Sequence, residues 1–210
     1  PPLPARPRAD GFTGLVSSVG DLTARLAALA TLGGLAALLA YTPTGPGRTL
    51  TGAGRRAATF AARSAQVWFA ASALQTVANA AFVVGVPLGL VPGSWWTFVV
   101  ANQSALAWLF SALVAAATSV TAYVARSYAP PVIAYIAGVL ALAFVGVTGN
   151  ASVGLDHDWA TDAMIAVTLA FVPLASSAVG VLVRGPGGDA DADALARALL
   201  LRPRLLLVDQ

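Results

Sequence analysis

The stretch WTFVVANQSALAWLFSALVAAATSVTAYVA, residues 96–125, holds no charged side chain at any position. As an α-helix it would extend about 45 Å, more than the roughly 30 Å hydrocarbon core of a bilayer. Lipid gives backbone N–H and C=O groups no partner, and a helix satisfies its own, so the run reads as a membrane-crossing helix. Four further apolar runs stand around it, at about 15–41, 64–91, 131–147 and 159–183. The expected fold is therefore all-α, a polytopic membrane helix bundle of about five transmembrane helices occupying residues 14–184. Residues 1–13, rich in Pro and Arg, read as an extended N-terminal segment without the apolar core of a signal peptide. Residues 185–210 read as a cytoplasmic tail in which Asp189 caps a short helix through Leu201.

Composition agrees with that reading. Of the 210 residues, 58% are hydrophobic and 10% charged, with a mean hydropathy of +0.77. A soluble domain carries about 25% charged residues to cover its surface. All twelve basic residues are Arg and all nine acidic ones Asp, a bias that points to a GC-rich genome such as an actinobacterial one. The net charge of +3 does not imply nucleic acid, because the Arg residues sit between apolar runs and form no stripe interleaved with aromatics. The absence of Cys excludes disulfides and thiol catalysis, and a single His excludes a multi-His metal centre within the chain. No GxxxxGK[ST] loop is present to cradle phosphates, and no nucleophile–base pair can be named, so an enzyme is not expected.

The Arg residues also set an expected topology. Arg48, Arg55, Arg56 and Arg63 follow the first run, Arg126 the third, and Arg184, Arg197, Arg202 and Arg204 the fifth. In a five-pass bundle these share one side, which the positive-inside rule makes cytoplasmic. The expectation is a plasma-membrane protein with its N-terminus outside and its C-terminus inside. Asp21 and Arg25, four apart, share one face of the first helix near the membrane boundary.

Four groups of side chains invite attention. Asp156, His157 and Asp158 lie in the outer loop before the fifth run, where carboxylates and an imidazole could meet a divalent metal; the plainer reading makes Asp158 a helix cap and the others solvated. Gln75 and Asn79 on the second run, and Asn102 and Gln103 early in the third, are expected to make polar contacts between helices. Ser104, Ser111 and Thr118 recur every seven residues and share a face. Gly33 and Gly34, and the pair Gly85 and Gly89, are expected to allow close helix approach, and the Trp residues to act as interfacial anchors.

The sequence TGNASVGLDHDWATDAMIAVTLAFVPLASSAVGVLV, residues 148–183, resembles the late part of the bacterial copper resistance D (CopD) membrane domain. The Gly-rich first helix, basic loop and two long helices before it have a similar layout, so the resemblance covers about residues 22–183. It implies a CopD-like helix bundle, in a family whose actinobacterial members are often fused to a cytochrome oxidase copper-assembly module. The family's turn His corresponds to Asn150 here, and VTLAFVPLASSAVG (residues 167–180) has neither the His nor the Trp usual in that helix. The scaffold is thus implied without its full ligand set. Two functions follow as expectations: a non-catalytic accessory subunit of a larger copper-related or respiratory membrane complex, in contact with the lipid bilayer and other membrane subunits, or a copper-handling or copper-import protein with copper as its cofactor.

Overall fold

The computed structural model describes residues 10–42, 45, 48–90 and 95–148, together with eight positions between 163 and 178. The described elements are helical: α1 (Gly11–Tyr41), α2 (Gly52–Val84), a 3-10 turn (Leu88–Leu90), α3 (Trp95–Ala101), α4 (Gln103–Val124) and α5 (Ala129–Val147). The eight positions between 163 and 178 are helical too, and Val172 among them belongs to the core. The described residues contain no strand, only an isolated antiparallel bridge between Thr49 and Ser127.

Among the described residues, three helices are long and apolar enough to cross a membrane: Gly11–Ala40, Gln103–Val124 and Ala129–Val147. The side chains are distributed as lipid would have them. Much of the core is Ala, with Leu32, Leu35, Leu38 and Trp68 fully buried among it. Outward stand Leu15, Leu22, Leu26, Leu74, Leu113, Val120, Ile133 and Leu140, all large and exposed. In water such a shell would be an aggregation surface. In a bilayer it is solvated, and helices associate through small residues that let backbones approach.

Local chemistry sets the helix ends. Asp10 caps α1 by accepting the Thr13 N–H at 2.9 Å, and Thr51 caps α2 by accepting the Gly54 N–H at 3.3 Å. Gly85 ends α2 in the left-handed region (φ 76°), its N–H reaching Ala81 and Phe82 carbonyls. Pro130 and Pro131 occupy the first turn of α5, where the missing N–H costs nothing.

The four long helices form a ring in which α1 packs on α2, α2 on α4, α4 on α5 and α5 back on α1. Neighbours run antiparallel. Gln75 of α2 meets Ser17 near the start of α1, whereas Phe60 and Ala61 lie against Gly34 near its end. Gly34 and Gly138 mark close approaches: a Cβ on the first would lie 2.9 Å from Phe60 Cδ1, and on the second 2.7 Å from Leu32 Cδ2. At one end of the ring lie the loops bearing Arg48 and Arg126 and the first turns of α2, which carry Arg55 and Arg56. That end is tied by Leu50 N–H donating to Arg126 O at 3.1 Å and by the Tyr128 hydroxyl against Thr42.

Several expectations are revised. The run at 96–125 is not one helix: it breaks at Asn102, whose extended backbone (φ −121°, ψ 110°) separates α3 from α4. The second helix begins at Gly52, twelve residues before the apolar run at Ser64, because Arg55, Arg56 and Arg63 are helical. Trp68 and Trp108 are buried core residues, while Trp95 and Trp96 are exposed and pack edge to face at 5.5 Å. Gly85 serves as a helix cap, and a Cβ on Gly89 would meet nothing within 4 Å, so neither brings helices together. Residues 1–9, the loop holding Asn150, Asp156, His157 and Asp158, Pro173 and the tail 179–210 lie outside the described residues.

Candidate functional site

At the end of the bundle opposite the Arg-bearing loops, α1 and α4 begin while α2 and α5 end. Antiparallel packing brings the polar residues of three helices together there, in a cleft of about 700 Å³. α1 contributes Ser17, Asp21 and Arg25, α2 contributes Gln75 and Asn79, and the α3–α4 junction contributes Asn102, Gln103, Ser104 and Trp108. Phe82, Val84, Phe98 and Val145 form its apolar walls. Asp21 stands ten residues beyond Gly11, about 15 Å along α1 at 1.5 Å per residue, so the cleft reaches well into the bundle.

Both Asp21 carboxylate oxygens accept from Arg25 Nε, each at 3.0 Å. The pair is the expected turn-to-turn contact, with each side chain somewhat over a third exposed. Beneath it lies the buried Trp108 ring, its centroid 5.8 Å from Arg25 Cζ. The guanidinium is thereby held between a carboxylate and an aromatic face, an arrangement that suits its planar, weakly hydrated cation. Asp21 takes only the Nε–H, and no Nη bond is made among the described residues.

The amides behave differently from one another. Gln75, 2% exposed, donates from Nε2 to Ser17 Oγ at 3.2 Å, an α1–α2 contact, and its Oε1 has no partner among the described residues. Its amide lies against Gly20, where a Cβ would stand 2.8 Å from Oε1. Asn79 Oδ1 is also buried without a partner among the described residues. Asn102 is used within its own chain segment: Oδ1 accepts from the backbone N–H groups of Ser104 at 2.9 Å and Ala105 at 3.2 Å, capping α4. Its Nδ2 is consequently turned away from the helix, and it is buried without a partner among the described residues. Gln103, the fourth expected contact, is exposed.

Deeper in the bundle the register of Ser104, Ser111 and Thr118 runs along the inward side of α4. Ser111 accepts from Trp68 Nε1 at 3.0 Å and lies 3.3 Å from Ser72 Oγ. Ser119, one position on from Thr118, donates to Ala62 O at 3.1 Å. No group of three or more His, Cys, Asp or Glu side chains exists among the described residues that could hold a metal ion. The Asp156–His157–Asp158 loop is outside them. Sequence reasoning found most of the polar lining residue by residue, but it did not bring Asp21 and Arg25 into one cleft with the amides. The signal available was positional: in an antiparallel ring the start of the first helix, the end of the second and the start of the third meet.

No family model and no solved structure matches the chain. Two mycobacterial proteins are similar to it, Uncharacterized protein Mb0105 of Mycobacterium bovis and Uncharacterized protein MT0111 of Mycobacterium tuberculosis. Each is 28% identical over 181 residues, which is 85% of this chain and 27% of the relative. The chain thus spans about a quarter of the length of these curated relatives.

Proposed function

We propose that this chain is a non-catalytic, membrane-embedded helical module that serves a larger copper-related or respiratory membrane assembly. In this reading it crosses the plasma membrane five times, with α1, α2, the α3–α4 stretch and α5 as four passes and the segment around 159–183 as the fifth. The observation that carries it is the reversed distribution of side chains: small residues inside, large apolar ones outside all round the ring. Such a shell offers lipid and neighbouring helices the same surface. The relatives' length supports the assembly part, since the matching portion stands beside a remainder nearly three times as long. The orientation rests on the Arg-bearing end, which would face the cytoplasm, leaving the cleft outside. α2 fits this placement because its Arg55 and Arg56 sit in its first turns, while Arg63, further in and exposed, is long enough to snorkel.

Purification in mild detergent tests the reading. The chain is expected to migrate with other membrane subunits, and migration alone, with no co-purifying protein, contradicts it. Copper belongs to the proposal through the CopD resemblance and His157. Copper binding by the purified protein that is lost in His157→Ala would support a copper-handling role. No binding above background would remove copper from the reading.

A further inference from the structure

The cleft between α1, α2 and α4 has a charge pattern and a set of unused hydrogen-bonding groups that the accessory role leaves unexplained. Two donors are fixed in place. Arg25 is gripped through Nε by Asp21, which leaves its Nη groups without a partner among the described residues. Asn102 is fixed by its own cap: because Oδ1 takes two backbone N–H groups, Nδ2 is the atom left over, and it is buried and unpaired among the described residues. Acceptor-bearing residues line the same space: Asp21, Asn79 and the almost fully buried Gln75; Asn79 Oδ1 and Gln75 Oε1 have no partner among the described residues.

A buried polar atom with no partner costs free energy, and three of them around one cleft indicate a missing complement. Among the described residues the lining carries one positive and one negative side chain, so their charges balance. A bare anion would meet the Asp21 carboxylate, and a bare cation the Arg25 guanidinium. A ligand with both charges, separated, satisfies both. The walls formed by Phe82, Val84, Phe98 and Val145 suit an apolar extension of such a ligand.

We propose that this cleft binds a zwitterion whose oxyanion is held by Arg25 and Asn102 and whose ammonium is held by Asp21 and the carbonyl oxygens of Gln75 and Asn79. An aminophospholipid headgroup and a free amino acid or phosphoethanolamine share that chemistry, and the lipid is the source that uses the apolar walls. The assignment does not depend on the accessory role.

The test uses the full chain purified in detergent, with native mass spectrometry for lipid retention and calorimetry for soluble ligands. The probes are phosphatidylethanolamine, phosphatidylglycerol, phosphoethanolamine and glycine. Asn102→Asp is the informative variant, because a carboxylate still caps α4 but replaces the Nδ2 donor with an acceptor. Arg25→Gln is the second, and circular dichroism verifies that each remains helical. The wild type is expected to retain one phosphatidylethanolamine in preference to phosphatidylglycerol. Both variants are expected to weaken retention about tenfold or more, the scale of one lost charge-assisted hydrogen bond. Binding of glycine or phosphoethanolamine instead of lipid, weakened in the same variants, upholds the zwitterion site and makes its ligand a soluble one. Equal retention of phosphatidylglycerol, helical variants that bind as the wild type does, or no binding of any probe would overturn the proposal.

Discussion

Asp10 shows how one side chain starts a membrane helix and makes that start sensitive to acid. The Thr13 hydroxyl, and then its backbone N–H, favour the ionised carboxylate and hold the Asp10 carboxyl below the ordinary aspartate value. Since the folded value is the lower one, the cap is complete above the ordinary aspartate range and is lost as pH falls through the depressed value. Thr13 also accepts the Leu88 N–H at 3.0 Å, so the start of α1 is joined to the exit of α2. In detergent micelles the Thr13 amide proton is expected to shift as acid titrates Asp10, and to hold still in Asp10→Asn, whose amide oxygen caps at every pH. At this scale the sequence was legible wherever one residue acts on its own neighbours, as with Asp21 and Arg25 four apart. Asn102 was legible only in part. Its place early in an apolar run suggested an interhelical amide, whereas the Asn-Gln-Ser order is also that of a cap, and local bonding prevailed.

Between elements, one close approach of α1 and α2 rests on Gly34. Leu at that position would drive its side chain into Phe60 and Ala61, whose Cα would stand 3.2 Å from even a first added carbon. Gly34→Leu is expected to destabilise the bundle by about 1–3 kcal/mol, the usual cost of overpacking a well-filled core. Gly52→Ala, where an added Cβ meets nothing within 4 Å, is expected to leave the melting temperature unchanged or slightly raised. Thermal unfolding in the same detergent compares the two, and equal melting temperatures would refute the close-packing argument. The helices themselves were largely readable from hydropathy, with α1 and α5 ending close to the expected positions. The start of α2 was not, because hydropathy marks where lipid can sit, and Arg55, Arg56 and Arg63 extend a helix well beyond that limit. Nor was the fate of Trp68: amphipathic rings favour the interface in general, but Ser111 on α4 supplies the partner its Nε1–H needs inside.

Over the whole molecule, apolar helices in an antiparallel ring separate two chemically different ends. One carries Arg on the loops, and the other opens the cleft lined by Asp21, Arg25 and the amides. That division was visible as a charge asymmetry along the chain, but the cleft was not, since it exists only where helix ends far apart in sequence meet. The absence of Cys makes the division directly measurable, because a single introduced thiol has no background. Gly89 and Gly52 suit the purpose: they are exposed, on opposite ends, with open space for a side chain. With the protein in intact cells, a membrane-impermeant maleimide is expected to label Gly89→Cys at once and Gly52→Cys only after lysis. Labelling of both in intact cells, or release of the protein into the aqueous fraction without detergent, would contradict a bundle that crosses the membrane with its Arg-bearing end inside.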